Sequence, residues 1–558
     1  MNQDLSPVPL DRAKLTAIAN AIKSDRLFTD VVEQVGFESS EALLRAIARS
    51  LRLEFVDLAE IEIDESLLED FPVRMVHRHE FFPVGRVGES LLVAVSNPFD
   101  FQATDNLGAV TGKKVQPVVA NPDQVRDLIK RFLGVGAETI DGLLALQKAD
   151  DEFLELESLA GQDLEDAEVA QQASVVRLVN EILEEAIEAR ASDIHVEAQE
   201  DRIKIRYRVD GVLEKQQAPP EMNQFRAAIV SRLKIMAKLN IAEKRVPQDG
   251  RMKLRIKGRE IDIRLSIIPM LHGEGVVMRV LDKANLSFSL QGIGMSEEVY
   301  LRFQNLIRMP HGIVLVTGPT GSGKTTTLYS ALNEIKDEET KIITTEDPIE
   351  YQLEGINQIQ VHPKVGLTFA ASLRAILRHD PDVVLVGEIR DLETAENATQ
   401  ASLTGHMVFS TLHTNDSASA FLRLADMGVE PFLVSSTVEG VVAQRLVRRL
   451  CPDCREPDER DRHEFPIDFP YERLHVSPYR PVGCAACRGN GFRGRLGIYE
   501  LLTTSDEVRE LATRRAGTNE IKKAARSDGM ITLREDGWQK VINGVTSVDE
   551  VLRVTKAD

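Results

Sequence analysis

Nine residues, GPTGSGKTT at 318–326, constrain this chain more than any other stretch of it. They follow the apolar run GIVLV and precede TLYSALNEI, in which Leu328, Leu332 and Ile335 recur at helical spacing. The order is strand, glycine loop, helix. It fits the template G-x-x-x-x-G-K-[ST] through Gly318, Gly323, Lys324 and Thr325, with Gly321 as a further glycine inside the loop. Such a loop turns its backbone N–H groups inward around a phosphate, and the helix behind it points its positive end at the same anion. Pro319, Thr320, Ser322 and Thr326 complete the cradle, Lys324 reaches the outer phosphates, and the Thr325 hydroxyl is offered to Mg²⁺. A nucleotide site in an α/β domain is therefore expected.

A chain of 558 residues exceeds what one core holds, so several domains of about 100–200 residues are expected. No apolar run nears the roughly 18 residues that span a bilayer, and the opening MNQDLSPVPLDRAK has no signal-peptide core. These features predict a cytoplasmic chain with no direct membrane span, brought to any membrane by a partner. The net charge of −20 opposes non-specific binding to nucleic acid, which is not expected as a partner.

The four cysteines form two CxxC pairs, Cys451/Cys454 and Cys484/Cys487, separated by 29 residues. In a reducing compartment this spacing suits a tetrahedral four-thiolate Zn²⁺ site with a structural role; a redox pair or unrelated buried thiols is the rival reading. The metal would clamp the base of a proline- and charge-rich excursion.

Periodicity divides the rest. Residues 1–135 combine helical spacing in LTAIANAI and ALLRAIARSL with strand-like FFPVGRV and LLVAVSNP, a small α+β unit. Residues 136–172 are an acidic linker with some helix. Residues 173–283 read as a helix followed by strands that aim arginines off one face, among them Arg251, Arg264 and Arg279, either solvated or collected for a phosphate. The nucleotide core follows at 284–450, the cysteine element at 451–490 and a helical segment at 491–558.

A phosphate loop needs carboxylates to hold Mg²⁺ and to orient an attacking water. In KIITTEDPIEYQL a β-branched run ends at Glu346, Asp347 and Glu350; in DPDVVLVGEIRD the apolar strand ends at Gly387 and Glu388. Acids at the ends of buried parallel strands lie where open α/β sheets bind ligands. In GHMVFSTLHTND, His406 and His413 flank another short strand, as core residues or as a pair beside the nucleotide.

The series ASDIHVE, EKRVPQDGR, GPTGSGKTT, EDPIEY, VGEIRD, TGHMVFSTLHTND, AQRLVRRLCPDC and GIYELL resembles the secretion ATPase superfamily, in particular type II secretion and type IV pilus assembly ATPases, over about 173–558. The resemblance implies a RecA-type P-loop NTPase core, a preceding small α/β (PAS-like) domain, a zinc-binding insertion, a helical C-terminus and an N-terminal α+β domain. It implies a homo-hexamer that hydrolyses ATP with Mg²⁺ under the inner membrane and drives a membrane platform, together with cytoplasmic-domain proteins of that machine, to assemble pilin-like subunits. It makes Glu350 the water-activating acid, Glu388 the Mg²⁺-side glutamate, His406 and His413 the histidine box, and Arg251, Arg264 and Arg279 candidate arginine fingers, with closure about the short linker at 282–286. The two CxxC pairs favour an assembly motor over a retraction motor. SDRLFTDVVEQVGF is similar to an N-terminal module that binds cyclic dinucleotides, but Phe28 stands where that pattern has glycine. Docking to a membrane partner is expected there, and cyclic di-GMP is not. A nucleic-acid motor of the same fold and a non-hydrolysing scaffold are the alternatives.

Overall fold

The computed structural model describes residues 39–58, most of 61–140 and the stretch 163–556 apart from 257, 283–288 and 474–476, with a few isolated positions before residue 39. The cyclic-dinucleotide-like stretch and the hinge expected at 282–286 lie largely outside the described residues. The chain forms two compact units, Met1–Leu281 and Asp282–Asp558.

In the first unit, FFPVGRV and the run after it form β1 (Phe81–Val87) and β2 (Ser90–Val95), an antiparallel pair that β3 (Lys114–Val119) extends in parallel. Helix Ser40–Leu51 begins where Ser39 Oγ accepts the Ala42 N–H at 3.1 Å, a side-chain cap for an otherwise orphaned donor. Farther along, helix Asp163–Glu188 starts ten residues before the predicted domain boundary at 173, inside the acidic stretch. It leads to β4 (Ala191–Ala198), β5 (Ile203–Val209), β6 (Val212–Gln216), β7 (Gln248–Ile256), β8 (Arg259–Met270) and β9 (Gly273–Asp282), a sheet ordered β6-β5-β4-β9-β8-β7. Strict alternation puts Ile203, Ile205, Tyr207 and Val209 in the core and Lys204, Arg206 and Arg208 on the other face. Arg251, Arg264 and Arg279 share that outer face. Arg251 and Arg264 are direct cross-strand partners, and Arg279 Nε donates to Asp193 Oδ1 at 3.3 Å.

The second unit is built on β10 (Gly312–Thr317), β11 (Ile342–Glu346), β12 (Asn357–Gln360), β13 (Val383–Val386), β14 (Met407–Leu412), β15 (Val438–Leu450) and β18 (Phe492–Thr503), ordered β12-β11-β13-β14-β10-β15-β18. The small ladder β16 (Glu456–Pro457) and β17 (Tyr479–Arg480) lies in the cysteine excursion. Fully apolar runs such as VVLV suit strands buried on both faces. Ile313 and Leu315 enter one core cluster and Val314 and Val316 another, so helices cover the central sheet on both sides.

Two features depart from the sequence reading. Residues 492–503, expected within the helical segment, form β18, an edge strand antiparallel to β15. Because Leu450 pairs with Phe492, the chain leaves and re-enters the sheet at one point, which is how cysteines 29 residues apart come together. The proline- and charge-rich excursion also packs on the C-terminal helices, a contact that no sequence pattern predicts. Phe469 meets Trp538 edge-on at 5.1 Å between ring centres, and Asp468 accepts from Arg534 and from Trp538 Nε1.

Candidate active site

Every strand from β10 to β14 is parallel to its neighbours, so their carboxyl ends share one edge of the sheet. The strand order then does the assembling. β10 delivers the glycine loop, β11 ends in Glu346, β13 runs into Gly387 and Glu388, and β14 runs into His413. Lys324, Thr325, Tyr329, Glu350, Glu388 and His413 line a single cleft there.

The loop fits a phosphate. Gly318 and Gly323 have φ of 149° and 88°, and a Cβ would lie 2.6 Å from Gln444 O at the first and 2.8 Å from Gln444 Nε2 at the second. Helix Lys324–Ile335 starts with no side-chain cap, leaving its first N–H groups for an anion. Lys324 Nζ donates to Gly318 O at 2.8 Å and Pro319 O at 3.1 Å, and Ser322 Oγ is buried with no hydrogen-bond partner among the described residues. Burial pulls the Lys324 ammonium below its ordinary pKa; the nearby Glu388 carboxylate opposes this and the Arg445 guanidinium adds to it.

Glu388 meets His413 Nε2 at 3.3 Å and forms an ion pair with Arg390. In the cleft wall Glu346 is buried and fully engaged, accepting from Tyr329, from Thr344 Oγ1 at 2.6 Å and from Gln358 Nε2 at 3.1 Å. Burial and the Glu346 charge hold the Tyr329 phenol neutral. Glu346 lines the cleft together with Glu350 and Glu388, but its carboxylate is committed to these donors and serves as a structural acid.

Of the two histidines that the sequence offers, His413 lines the cleft and His406 does not. It precedes β14 and so sits at the opposite end of that strand from His413, and its Nδ1 donates to Ala401 O at 2.9 Å, closing the end of helix Leu392–Leu403. The six-residue strand between them puts the two rings at opposite edges of the sheet. Arg251, Arg264 and Arg279 belong to the first unit and the glycine loop to the second.

The cysteines meet as predicted from their spacing: all four sulfurs lie within 4.8 Å of one another, with Cys451–Cys484 at 3.9 Å and Cys454–Cys487 at 3.7 Å. Ligands at about 2.3 Å around a tetrahedral ion would be roughly 3.8 Å apart, so the group is able to hold a metal. Burial pushes the Cys454 thiol up to about 12. Burial also works against the Cys487 thiolate, yet N–H groups of Cys484 and Gly491 donate to its sulfur and bring it down to about 7.

Two residues to which the sequence assigned no role, both inside the AQRLVRRLCPDC stretch, complete the surroundings. Gln444 and Arg445 on β15 close against the loop, and only the strand order β14-β10-β15 puts them there.

A parallel sheet carrying a phosphate loop, with acids at adjacent strand ends, defines a P-loop ATPase. The family model for Type II/IV secretion system protein matches residues 168–553, and that for the MshEN domain matches 51–139. Type II secretion system protein E of Xanthomonas campestris is 45% identical over 495 residues, 88% of this chain and 85% of that protein. The type IV pilus assembly ATPase PilB of Myxococcus xanthus is 42% identical, covering 96% of this chain and 94% of its own length. The ATPase DotB of Legionella pneumophila shares the fold with a TM-score of 0.50 at 23% identity, over 67% of this chain and 94% of that one. The chain belongs to the type II/IV secretion system protein family, and it is an ATPase of the kind that serves type II secretion and type IV pilus assembly. ATP and Mg²⁺ are the cofactors this family implies. Among the described residues no helix is long and apolar enough to cross a membrane.

Proposed function

We propose that the chain is the motor subunit of a homo-hexameric ring on the cytoplasmic face of the inner membrane, converting ATP hydrolysis into assembly of pilin-like subunits. The observation that carries this is the convergence of Lys324, Thr325, Glu350, Glu388 and His413 in one cleft at four adjacent strand ends.

In this reading residues 318–326 wrap the phosphates with backbone N–H groups, and Lys324 sets its charge against the outer ones. Mg²⁺, held by Thr325 and Glu388, would neutralise charge as it develops on the phosphates. Glu350 orients the attacking water, and His413 links that event to the loop behind it through Glu388. His406 keeps a capping role. Arg251, Arg264 and Arg279 are the candidate arginine fingers, carrying positive charge on the outer face of the small domain's sheet.

Zn²⁺ is the ion we assign to Cys451, Cys454, Cys484 and Cys487. Four sulfurs near tetrahedral spacing support it, as do the N–H donors that stabilise the Cys487 thiolate. It fastens the excursion that carries the Trp538 contact.

The N-terminal domain, 1–135, docks to a platform or cytoplasmic-domain protein of the secretion or pilus machine. The MshEN match at 51–139 makes cyclic di-GMP the ligand to test there, although the Phe28 position argues against it.

Steady-state ATPase activity per subunit, followed against protein concentration with Mg²⁺, tests the motor reading. It should rise with concentration as the ring forms and vanish in Lys324→Ala. Equal turnover in that variant would remove Lys324 from the mechanism, and a rate independent of concentration down to dissociated chains would contradict a ring.

A further inference from the structure

The residues that pack behind the phosphate loop have no part in the chemistry so far described. Arg445 is half-buried on β15, next to β10, and is not among the residues lining the cleft. Its guanidinium joins β15 to the loop after β14. Nη1 donates to Gln444 O at 3.0 Å, and Nη2 donates to Asn415 O at 2.9 Å and Asn415 Oδ1 at 3.2 Å. Nη1 would also lie 3.1 Å from a Cβ on Gly318, so the guanidinium sits against the first residue of the phosphate loop.

Asn415 stands two positions after His413, the residue that meets Glu388. A second tie runs beside it: Thr414 N donates to Thr317 Oγ1 at 2.8 Å, and the two threonine hydroxyls are 2.7 Å apart. The loop after β14 is thus held twice, by hydroxyls to the end of β10 and by a cation to β15, the strand whose Gln444 carbonyl and Arg445 guanidinium close against Gly318. Gln444 anchors the other side, its Oε1 accepting from Thr327 Oγ1 at 2.8 Å in the helix behind Lys324.

We infer that Arg445 is a positioning residue for ATP hydrolysis, a strut that holds the His413-bearing loop in register with the entry to the phosphate loop. A planar guanidinium donates in several fixed directions and can serve three carbonyl oxygens on two segments, which a single ammonium group cannot do with the same geometry. Arg445 does not line the cleft; in this reading it acts through Asn415 and Gln444. Catalytic groups displaced by about 1 Å can lose roughly 100-fold in rate, so the strut is read in kcat. Nucleotide affinity rests on the glycine loop and Lys324 and should change little.

The inference depends on the phosphate-loop reading of 318–326, and the test separates the two. Full-length Arg445→Met and Arg445→Lys are compared with Asn415→Ala, alone and combined with Arg445→Met, for kcat, KM and ring formation. Arg445→Met should lower kcat about tenfold or more with KM within about threefold, and lysine should not restore the rate. Asn415→Ala should lower kcat two- to threefold in the parent and leave Arg445→Met unchanged, because the carboxamide then has no guanidinium to accept from. If Arg445→Met does not form the ring, Arg445→Lys stands in: a reduced kcat with unaltered KM supports the strut. Full activity with lysine, a rise in KM at constant kcat, or additive effects of Arg445 and Asn415 would overturn it. Turnover surviving in Lys324→Ala would instead overturn the phosphate-loop reading.

Discussion

The nucleotide cleft and the C-terminal helices both hold polar and charged groups, but they treat them in opposite ways. Under the C-terminal helices every buried charge is answered. Glu550 accepts from Arg448 and Arg553, Asp536 from Lys540 and the Tyr499 N–H, and Glu500 from Ser417 and the Leu533 N–H. In the cleft Lys324 is folded onto carbonyls of its own loop, the Ser322 hydroxyl has no partner among the described residues, and helix Lys324–Ile335 starts uncapped. Satisfied buried networks fix a structure; donors left over at a strand edge are held for a ligand.

The comparison breaks most visibly on the cleft side. Glu388→Gln removes the charge at the end of β13 while keeping its shape, so turnover should fall by about 100- to 1,000-fold with thermal stability nearly unchanged. A comparable loss of melting temperature would show that Glu388 belongs with the structural acids such as Glu346.

On the satisfied side the sign reverses, with stability moving and chemistry following only through it. Glu550→Ala leaves Arg448 partly buried without its partner and should cost about 3–5 kcal/mol by denaturant unfolding. Burial works against the Glu550 carboxylate, but bonds from Arg553 and Arg448 bring it down to about 2. Its contribution is therefore complete above the ordinary glutamate range near about 4.3 and is lost as pH falls through about 2. Acid should loosen helix Val548–Val554 in that window, followed by amide exchange, and a Glu550→Gln variant should show less of this loosening.

The smallest effect sharpens the contrast. Ser322→Ala deletes a buried hydroxyl that has no partner among the described residues, so stability should hold or rise slightly, within about 1 kcal/mol, while KM for ATP rises a few-fold. A clear loss of stability would mean that the hydroxyl already serves the fold.

What could be read beforehand follows the same division. Glycines at 318 and 323 announce themselves because the backbone there excludes a Cβ, and the two CxxC pairs because a metal demands their spacing. Glu350 and Glu388 were legible as acids after apolar strands. Glu346, three residues after Ile343 in the first of those runs, could not be told from them until Tyr329 and Gln358 were seen to satisfy it. His406 and His413 look equivalent in sequence; the length of β14 separates them. Arg445 and β18 were hidden for a common reason. Both depend on which strand lies beside which, and no local pattern in AQRLVRRL or GIYELL records the order β10-β15-β18.

The central claim is that Glu350 acts on water in a cleft that binds ATP without its help. Glu350→Gln, measured for ATP binding by calorimetry and for hydrolysis in single turnover, tests it most directly. Affinity within about threefold of the parent and hydrolysis slowed by about 100-fold or more is the predicted result. Hydrolysis near the parental rate would contradict the account and move the water-orienting role to another group in the cleft.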